Sequence, residues 1–250
     1  MYEKGEKKHY TKLLLGSDKT TIEKLSVLAL TNWKGKTVLD IGSGGGEVAY
    51  LIAKKGAKFV TGIDYSPKAV ETAQASYSAK NLKYEVADVT RFTGTYDIVL
   101  SMGMLEHMDN PFAVVEKFSE LTRPKGSIII TVPNWANGRG SMLLMLRMLF
   151  GAKITLADLH FFTPRIFMEW AKKLGMKLSW KTVDFDWAQG EKLIQDFNLR
   201  LPKVLLGESF KTTEGNIRKF NEWLGLEKEF IADAKRSGGA VGLYHLKKGK

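Results

Sequence analysis

Apolar residues follow two rhythms along this chain. Short runs rich in Val, Ile and Leu alternate with longer stretches whose apolar positions return every three or four residues. The short runs predict strands at 36–41, 58–64, 82–87, 96–101 and 127–133. The intervening stretches predict helices at about 46–56, from Ser66-Pro67 to about Ala79, and at 111–122, the last with Phe112, Val115, Phe118 and Leu121 on one face. Asp18 or Thr20 is a candidate cap for an earlier helix carrying Ile22, Leu25, Leu28 and Ala29. Leu121 to Gly126 reads as the turn into the fifth strand.

The alternation of strand and helix implies a parallel sheet with right-handed crossovers, which binds ligands outside the carboxyl ends of its strands. Asp40, Asp64, Asp88 and Met102 all fall at such ends.

After Pro133 the pattern changes. Residues 141–150 form a helix apolar on nearly every face, which can pack as core, line an apolar pocket or lie on a membrane surface. A helix from Pro164 to Leu174, a strand over 176–180 and a last strand over 239–246 follow. Between them, 188–236 reads as two or three helices anchored by Leu193, Phe197, Leu201, Phe220, Trp223 and Phe230. The expected organisation is one domain over 1–250, a core over 17–133, and insertions 134–160 and 188–236 capping the ligand edge.

The densest chemical signal is Asp40-x-Gly42-x-Gly44-x-Gly46, between the first strand and its helix. Its glycines let the backbone approach a ligand, and the helix behind favours an anionic group. A dinucleotide fingerprint, G-x-G-x-x-G, fails here: from Gly42 it meets Glu47, and from Gly44 it meets Ala49. Asp64 closes the second strand, where a carboxylate can accept both ribose hydroxyls.

These motifs, with Ala87-Asp88 after the third strand and the fourth and fifth strands in order, resemble the class I S-adenosylmethionine (SAM) dependent methyltransferases. The likeness is to the branch that includes the ubiquinone-biosynthesis O-methyltransferases. It is close over about 36–133 and loose over 160–180. It implies a doubly wound, Rossmann-like α/β fold with a seven-stranded sheet of order 3-2-1-4-5-7-6 and an antiparallel last strand. It also implies that SAM, and its product S-adenosylhomocysteine (SAH), contacts Asp40, Gly42, Ser43, Gly44, Gly46, Asp64, Tyr65, Asp88, Val89 and Met102, with Asp88 at the adenine amino group.

His107 and His160 are the candidate bases. Imidazole titrates near neutrality, and both positions should lie on the rim where a methyl group would move. Glu106, His107, His160 and Asp158 could together hold a hard divalent cation. Gly103, however, stands where some metal-requiring relatives carry an acid, so no metal is expected. Met142, Met145 and Met148 would give an adaptable apolar wall, and Arg139 and Arg147 could meet a phosphate or carboxylate.

Composition narrows the chemistry further. The 250 residues are 44% hydrophobic, enough for a real core, and contain no cysteine. Disulfides, thiolate metal sites and cysteine nucleophiles are excluded. The formal net charge of +11 draws anionic partners, but the lysines are spread rather than clustered. No Asn/Asp-Pro-Pro-aromatic tetrapeptide follows the fourth strand, so nucleic acid is not the expected acceptor. The N-terminus is charged and polar, and no apolar run approaches the ~20 residues of a membrane span. A cytoplasmic location is therefore expected. The expected activity is methyl transfer to a small molecule, most simply at oxygen of a partly apolar and perhaps anionic acceptor. The rivals are an RNA or protein methyltransferase, and a SAM-binding regulatory subunit without catalysis. Neither the acceptor nor the oligomeric state is legible.

Overall fold

The computed structural model describes residues 21–155, 157–189, 191–205, 212–232 and 234–249. Its first helix, α1 (Ile22–Leu28), starts at Thr21, whose side chain accepts the Lys24 N–H at 3.4 Å. Thr21 is thus the cap; Asp18 and Thr20 lie outside the described residues.

Strands and helices then alternate as far as β3, which is followed directly by β4: β1 (Thr37–Ile41), α2 (Glu47–Lys54), β2 (Phe59–Asp64), α3 (Pro67–Ser76), β3 (Leu82–Val86) and β4 (Tyr96–Met102). A 3₁₀ turn at Leu105–His107, then α4 (Pro111–Leu121) and β5 (Thr122–Pro133), complete this half. Ser66 caps α3 through the Ala69 N–H, with Pro67 at the first helical position. That helix stops at Ser76, three residues before the expected end, where Tyr77 turns to extended backbone.

The rest comprises α5 (Gly138–Phe150), α6 (Pro164–Lys173), β6 (Lys177–Val183), α7 (Phe185–Gln189), α8 (Glu191–Leu205), α9 (Glu214–Ala232), α10 (Ala234–Ser237) and β7 (Val241–Lys247). The seven strands form one sheet of order β3-β2-β1-β4-β5-β7-β6. Neighbours from β3 to β5 run parallel, whereas β7 is antiparallel to both β5 and β6.

Period-two alternation splits the core into two layers. Leu39, Val99, Ile128, Ile130 and Tyr244 face α4 and α6, packing with Phe118 and Phe167. Val38, Ile98, Leu100, Ile129 and Leu243 face the opposite side, with Val27, Ile52 and Val70 of α1, α2 and α3. Asp40 falls on this second face by register, which is why a carboxylate is enclosed there.

The stretch before Ser127 differs from the turn expected. Strand β5 already starts at Thr122, paired with Tyr96, and the register shifts before Ile98 resumes the ladder. Within this stretch Lys125 adopts φ 62°.

A third, smaller core lies beyond the sheet: Trp135, Leu143, Leu144, Ala152, Ile154 and Val204, with Phe197 and Trp223 packed against it. Helix α9 packs on α5, and α7 on α8 and α5. One side of α5 is therefore buried, while Met142 and Met145 are exposed. Arg139 pairs with Asp196 at 3.0 Å, and Arg147 lies 4.8 Å from the Phe161 ring centroid. Both arginines that could meet an anionic acceptor make these contacts within the protein. The two ends of this region are stapled together: the Asn134 and Asn137 side chains both donate to the Gly239 carbonyl at 2.8 Å. Among the described residues no helix is long and apolar enough to cross a membrane.

Candidate functional site

The glycine loop leaves β1 through Gly42, Gly44 and Gly46, all at positive φ (72°, 51° and 84°). Its N–H groups at Gly42 and Ser43 donate to the Ile63 carbonyl at 2.9 and 3.0 Å, tying the loop to the end of β2. Asp64, the last residue of β2, accepts the Gly44 N–H through Oδ2 and the Ser66 N–H through Oδ1, both at 2.9 Å. Tyr84 of β3 braces the loop from behind by donating to the Gly46 carbonyl at 2.7 Å. A Cβ built on Gly44 or Gly45 would meet no atom within 4 Å, so the outer side of the loop is open to a ligand.

A cavity of about 510 Å³ opens there, lined by Asp40, Gly42, Ser43 and Gly46, by Met102 and Gly103 at the end of β4, and by Glu23 and Lys24 from α1. Glu47, Thr72, Ser76 and Tyr77 continue the wall. Five of the sequence-derived positions thus share one cavity.

The other five sequence-derived positions stand elsewhere. Gly44 belongs to the loop, and Asp64 reaches the site through its bond to it. Tyr65 is 83% exposed. Asp88 is exposed and accepts the Thr90 N–H and hydroxyl through Oδ1 at 2.9 and 2.8 Å. The Val89 side chain is buried in the core beneath, so only its backbone could face a ligand.

Electrostatically, the cavity is dominated by enclosed carboxyls. Burial, and then the neighbouring charge of Asp64, push Asp40 up to about 7, against the Ala49 N–H that favours its anion. Burial also pushes Glu23 above the usual carboxylate range. Lys24 forms an ion pair with Glu47, the first residue of α2.

On the far rim, the turn after β4 carries Glu106 and His107. Glu106 is 4% exposed, and its Oε2 has no hydrogen-bond partner among the described residues. Burial raises its carboxyl to about 8. A Cβ on Gly103 would lie 3.6 Å from Glu106 Oε1, so this carboxyl stands behind the cavity wall. His107 Nδ1 lies 3.2 Å from the Ala157 carbonyl and 3.8 Å from Asp158 Oδ1. This arrangement favours a proton on Nδ1 and leaves Nε2 as the basic nitrogen. His107 Nε2 is 4.0 Å from Glu106 Oε1.

His160 is held differently. Its Nε2 lies 2.8 Å from the Met108 carbonyl, and its ring stacks near Phe162 at 5.8 Å. Backbone bonds from Leu159 and His160 to the Glu106 carbonyl at 2.8 and 3.3 Å fasten 159–160 to the same turn. Both histidines therefore flank the loop after β4. Among the described residues no group of three His, Asp or Glu side chains could hold a metal ion.

Glu23, Lys24 and Tyr84 had no part in the sequence reading of the site. They carry no motif, and only the packing of α1 and β3 brings them to the loop.

Comparisons with known proteins agree with this geometry. A family model described as a methyltransferase domain matches residues 16–179. A ubiquinone biosynthesis O-methyltransferase of Neisseria meningitidis serogroup C is 35% identical over 108 residues, covering 40% of this chain and 45% of the relative. One from Coxiella burnetii is 29% identical over 154 residues, covering 58% and 65%. The chain thus spans about half to two thirds of the length of these relatives. Among solved structures, an S-adenosylmethionine dependent methyltransferase from Mesorhizobium loti has a TM-score of 0.54 at 16% identity, covering 90% of this chain and 96% of that one. The YcgJ protein of Bacillus subtilis has a TM-score of 0.56 at 12% identity, covering 91% and 99%. At such identities these structures speak for the fold alone. The matched domain model, the strand order and the acidic glycine loop lead to one conclusion: the chain belongs to the methyltransferase-domain family and is a class I member, the class whose methyl donor is SAM.

Proposed function

We propose that this protein transfers the methyl group of SAM to an oxygen of a small, partly apolar acceptor. The observation that carries the reading is the open outer side of the glycine loop, faced by Asp40, Met102 and Gly103 and tied to Asp64. SAM, when bound, supplies an electrophilic methyl on a sulfonium. The chain's own residues then have two tasks: to hold the donor and acceptor in line, and to take a proton if the acceptor is a hydroxyl.

The loop and Asp64 hold the nucleoside side in this reading. Asp64 spends one lone pair per oxygen on the backbone, which leaves acceptor capacity for ribose hydroxyls. Asp88 takes the adenine amino group. His107 is the base in this reading, its ring anchored through Nδ1 by the Ala157 carbonyl, with Asp158 3.8 Å away. His160 fixes the same loop through Met108. The insertions 134–160 and 188–236 supply the acceptor's apolar surroundings, supported by their shared core around Trp135 and Leu144.

An anionic acceptor receives less support, since Arg139 is spoken for by Asp196 and the carboxyls of Glu23 and Glu106 stand near the cavity. The test is a screen of neutral phenols, phenolic acids and other hydroxyl compounds with radiolabelled SAM. Labelled product from a hydroxyl acceptor supports the reading. SAM binding with no transfer to any acceptor class would favour a regulatory subunit.

A further inference from the structure

Two consecutive residues of the 3₁₀ turn after β4, Glu106 and His107, turn their side chains towards each other, with His107 Nε2 4.0 Å from Glu106 Oε1. Their surroundings differ sharply. The Glu106 side chain is buried, whereas 36% of the His107 side chain reaches solvent. The backbone of Glu106 is fixed, since its carbonyl accepts the Leu159 and His160 N–H groups. Its carboxyl is not: Oε2 has no hydrogen-bond partner among the described residues, and Oε1 lies towards Gly103 and His107.

A buried carboxyl with an unsatisfied oxygen is costly as an anion, and it keeps its proton until a positive charge comes near. The charged groups that act on Glu106 from other elements are Asp158 and Glu23, both carboxyls that oppose its ionisation. The cations of this region act on those carboxyls: Lys24 on Glu23, and Arg200 and Arg139 on Asp158. His107, at 4.0 Å, is a neighbour that can itself turn positive. Its other ring nitrogen is held at 3.2 Å from the Ala157 carbonyl and 3.8 Å from Asp158 Oδ1. The imidazole therefore stands between two carboxyls, one of them balanced by arginines and one not.

We propose that Glu106 and His107 hold one proton between them near neutral pH, which makes Glu106 a positioning residue for the rim imidazole. Groups this close do not gain and lose protons independently. With the proton on Glu106, the pair presents a neutral imidazole. With the proton on His107, a carboxylate faces an imidazolium. Neither state leaves an uncompensated charge in the buried turn. An imidazolium formed when His107 takes the proton of a hydroxyl acceptor would be met by a carboxyl able to ionise against it. That last link rests on the reading of His107 as the base; the shared proton does not.

NMR of the protein alone, with ring-labelled histidine, tests the pair. The chain has four histidines, His9, His107, His160 and His245, and His107→Gln identifies the His107 signal by its disappearance. In wild type this signal should move in two steps as pH rises, the second near pH 8, where burial places the Glu106 carboxyl. Glu106→Gln keeps the size of the side chain but cannot ionise, so the second step should vanish. His160 is tied to the same turn through the Met108 and Glu106 carbonyls, and its signal should be alike in both proteins. Carboxyl-labelled glutamate gives the reciprocal reading without any change at Glu106: a carboxyl titrating near pH 8 in wild type should move upward in His107→Gln. Thermal melts show whether each variant is folded. A single step at His107 in wild type, a second step that survives Glu106→Gln, or a glutamate midpoint indifferent to His107→Gln would overturn the proposal. Equal changes at His107 and His160 would make Glu106 a prop of the turn and overturn it as well. No donor or acceptor is present, so none of these outcomes depends on methyl transfer. A shared proton in a protein that methylates nothing would count only against the proposed function.

Discussion

The Tyr84 hydroxyl donates to the Gly46 carbonyl at 2.7 Å, joining the third strand to the glycine loop across 38 positions of sequence. The contact is as close as it is because Gly46 has no side chain. A Cβ there would stand 2.6 Å from the Tyr84 oxygen and 2.7 Å from Ala73 Cβ, at a φ of 84° that other residues rarely adopt. Gly46→Ala should therefore destabilise the fold by about 1–3 kcal/mol and weaken SAH binding, because overpacking must move the loop. Tyr84→Phe should cost about 1 kcal/mol, the scale of one buried hydrogen bond. Denaturant melts check both. A Gly46→Ala protein as stable as wild type would show that the loop is not braced from behind.

If the glycine-loop cavity holds the cofactor, Asp40 should make its binding depend on pH. Enclosed by burial, with Asp64 nearby, it titrates at about 7, well above the ordinary carboxylate range. A cationic ligand in the same cavity favours its ionised form. Binding near neutral pH should therefore release a proton, and affinity should rise as pH increases towards about 7 and then level. Calorimetry of SAM in two buffers of different ionisation enthalpy reads the proton directly. Asp40→Asn should remove the buffer dependence, and identical heats for wild type in both buffers would refute this assignment.

The same group, with Glu106 at about 8, shapes stability in the opposite sense. Each carboxyl has a folded pKa above its unfolded value, so the folded state binds more protons between about pH 4 and 8. Its contribution is fully present below about pH 4 and is lost as pH rises through 7 to 8. The slope should be of the order of 1 kcal/mol per pH unit for each group. Melts of wild type, Asp40→Asn and Glu106→Gln across this range should show the slope shrinking in each variant.

The two histidines should separate in kinetics. His107→Ala should lower kcat about 10²–10⁴-fold on a hydroxyl acceptor and leave SAH affinity unchanged. His160→Ala removes a bond to the Met108 carbonyl and a ring contact with Phe162, so it should act mainly through stability of the rim. Equal losses in both variants would assign both to the loop's structure. No loss in either, or in the double variant, would point to an acceptor already deprotonated at neutral pH.

Much of this was legible in the chain because the loop chemistry is local. Asp40, Gly42, Gly44 and Gly46 sit within seven positions, and their spacing alone separates them from a dinucleotide fingerprint. Strand order followed from the succession of five strand ends and from the family they resemble. Elements whose limits depend on tertiary contact were harder to read. Thr122–Gly126 looks like a turn in sequence but joins β5 through pairing with Tyr96. Arg139 looks available to an acceptor, but Asp196, 57 positions away, claims it. Lys24 and Tyr84 belong to no motif, and only folding carries them to the glycine loop. Conversely, Tyr65 has a place in the motif yet stands open to solvent.

The central claim is that the crevice between the glycine loop and Asp64 is the SAM site. Titration of SAH into the wild-type protein and into Asp64→Ala, with NAD as control, tests it most directly. Asp64 holds Gly44 and would receive the ribose, so its loss should weaken SAH by roughly 1.5–3 kcal/mol, at least tenfold. Saturable binding of SAH, none of NAD, and that loss in the variant are the predicted results. SAH affinity unchanged in Asp64→Ala, or NAD binding as tight as SAH, would contradict the account.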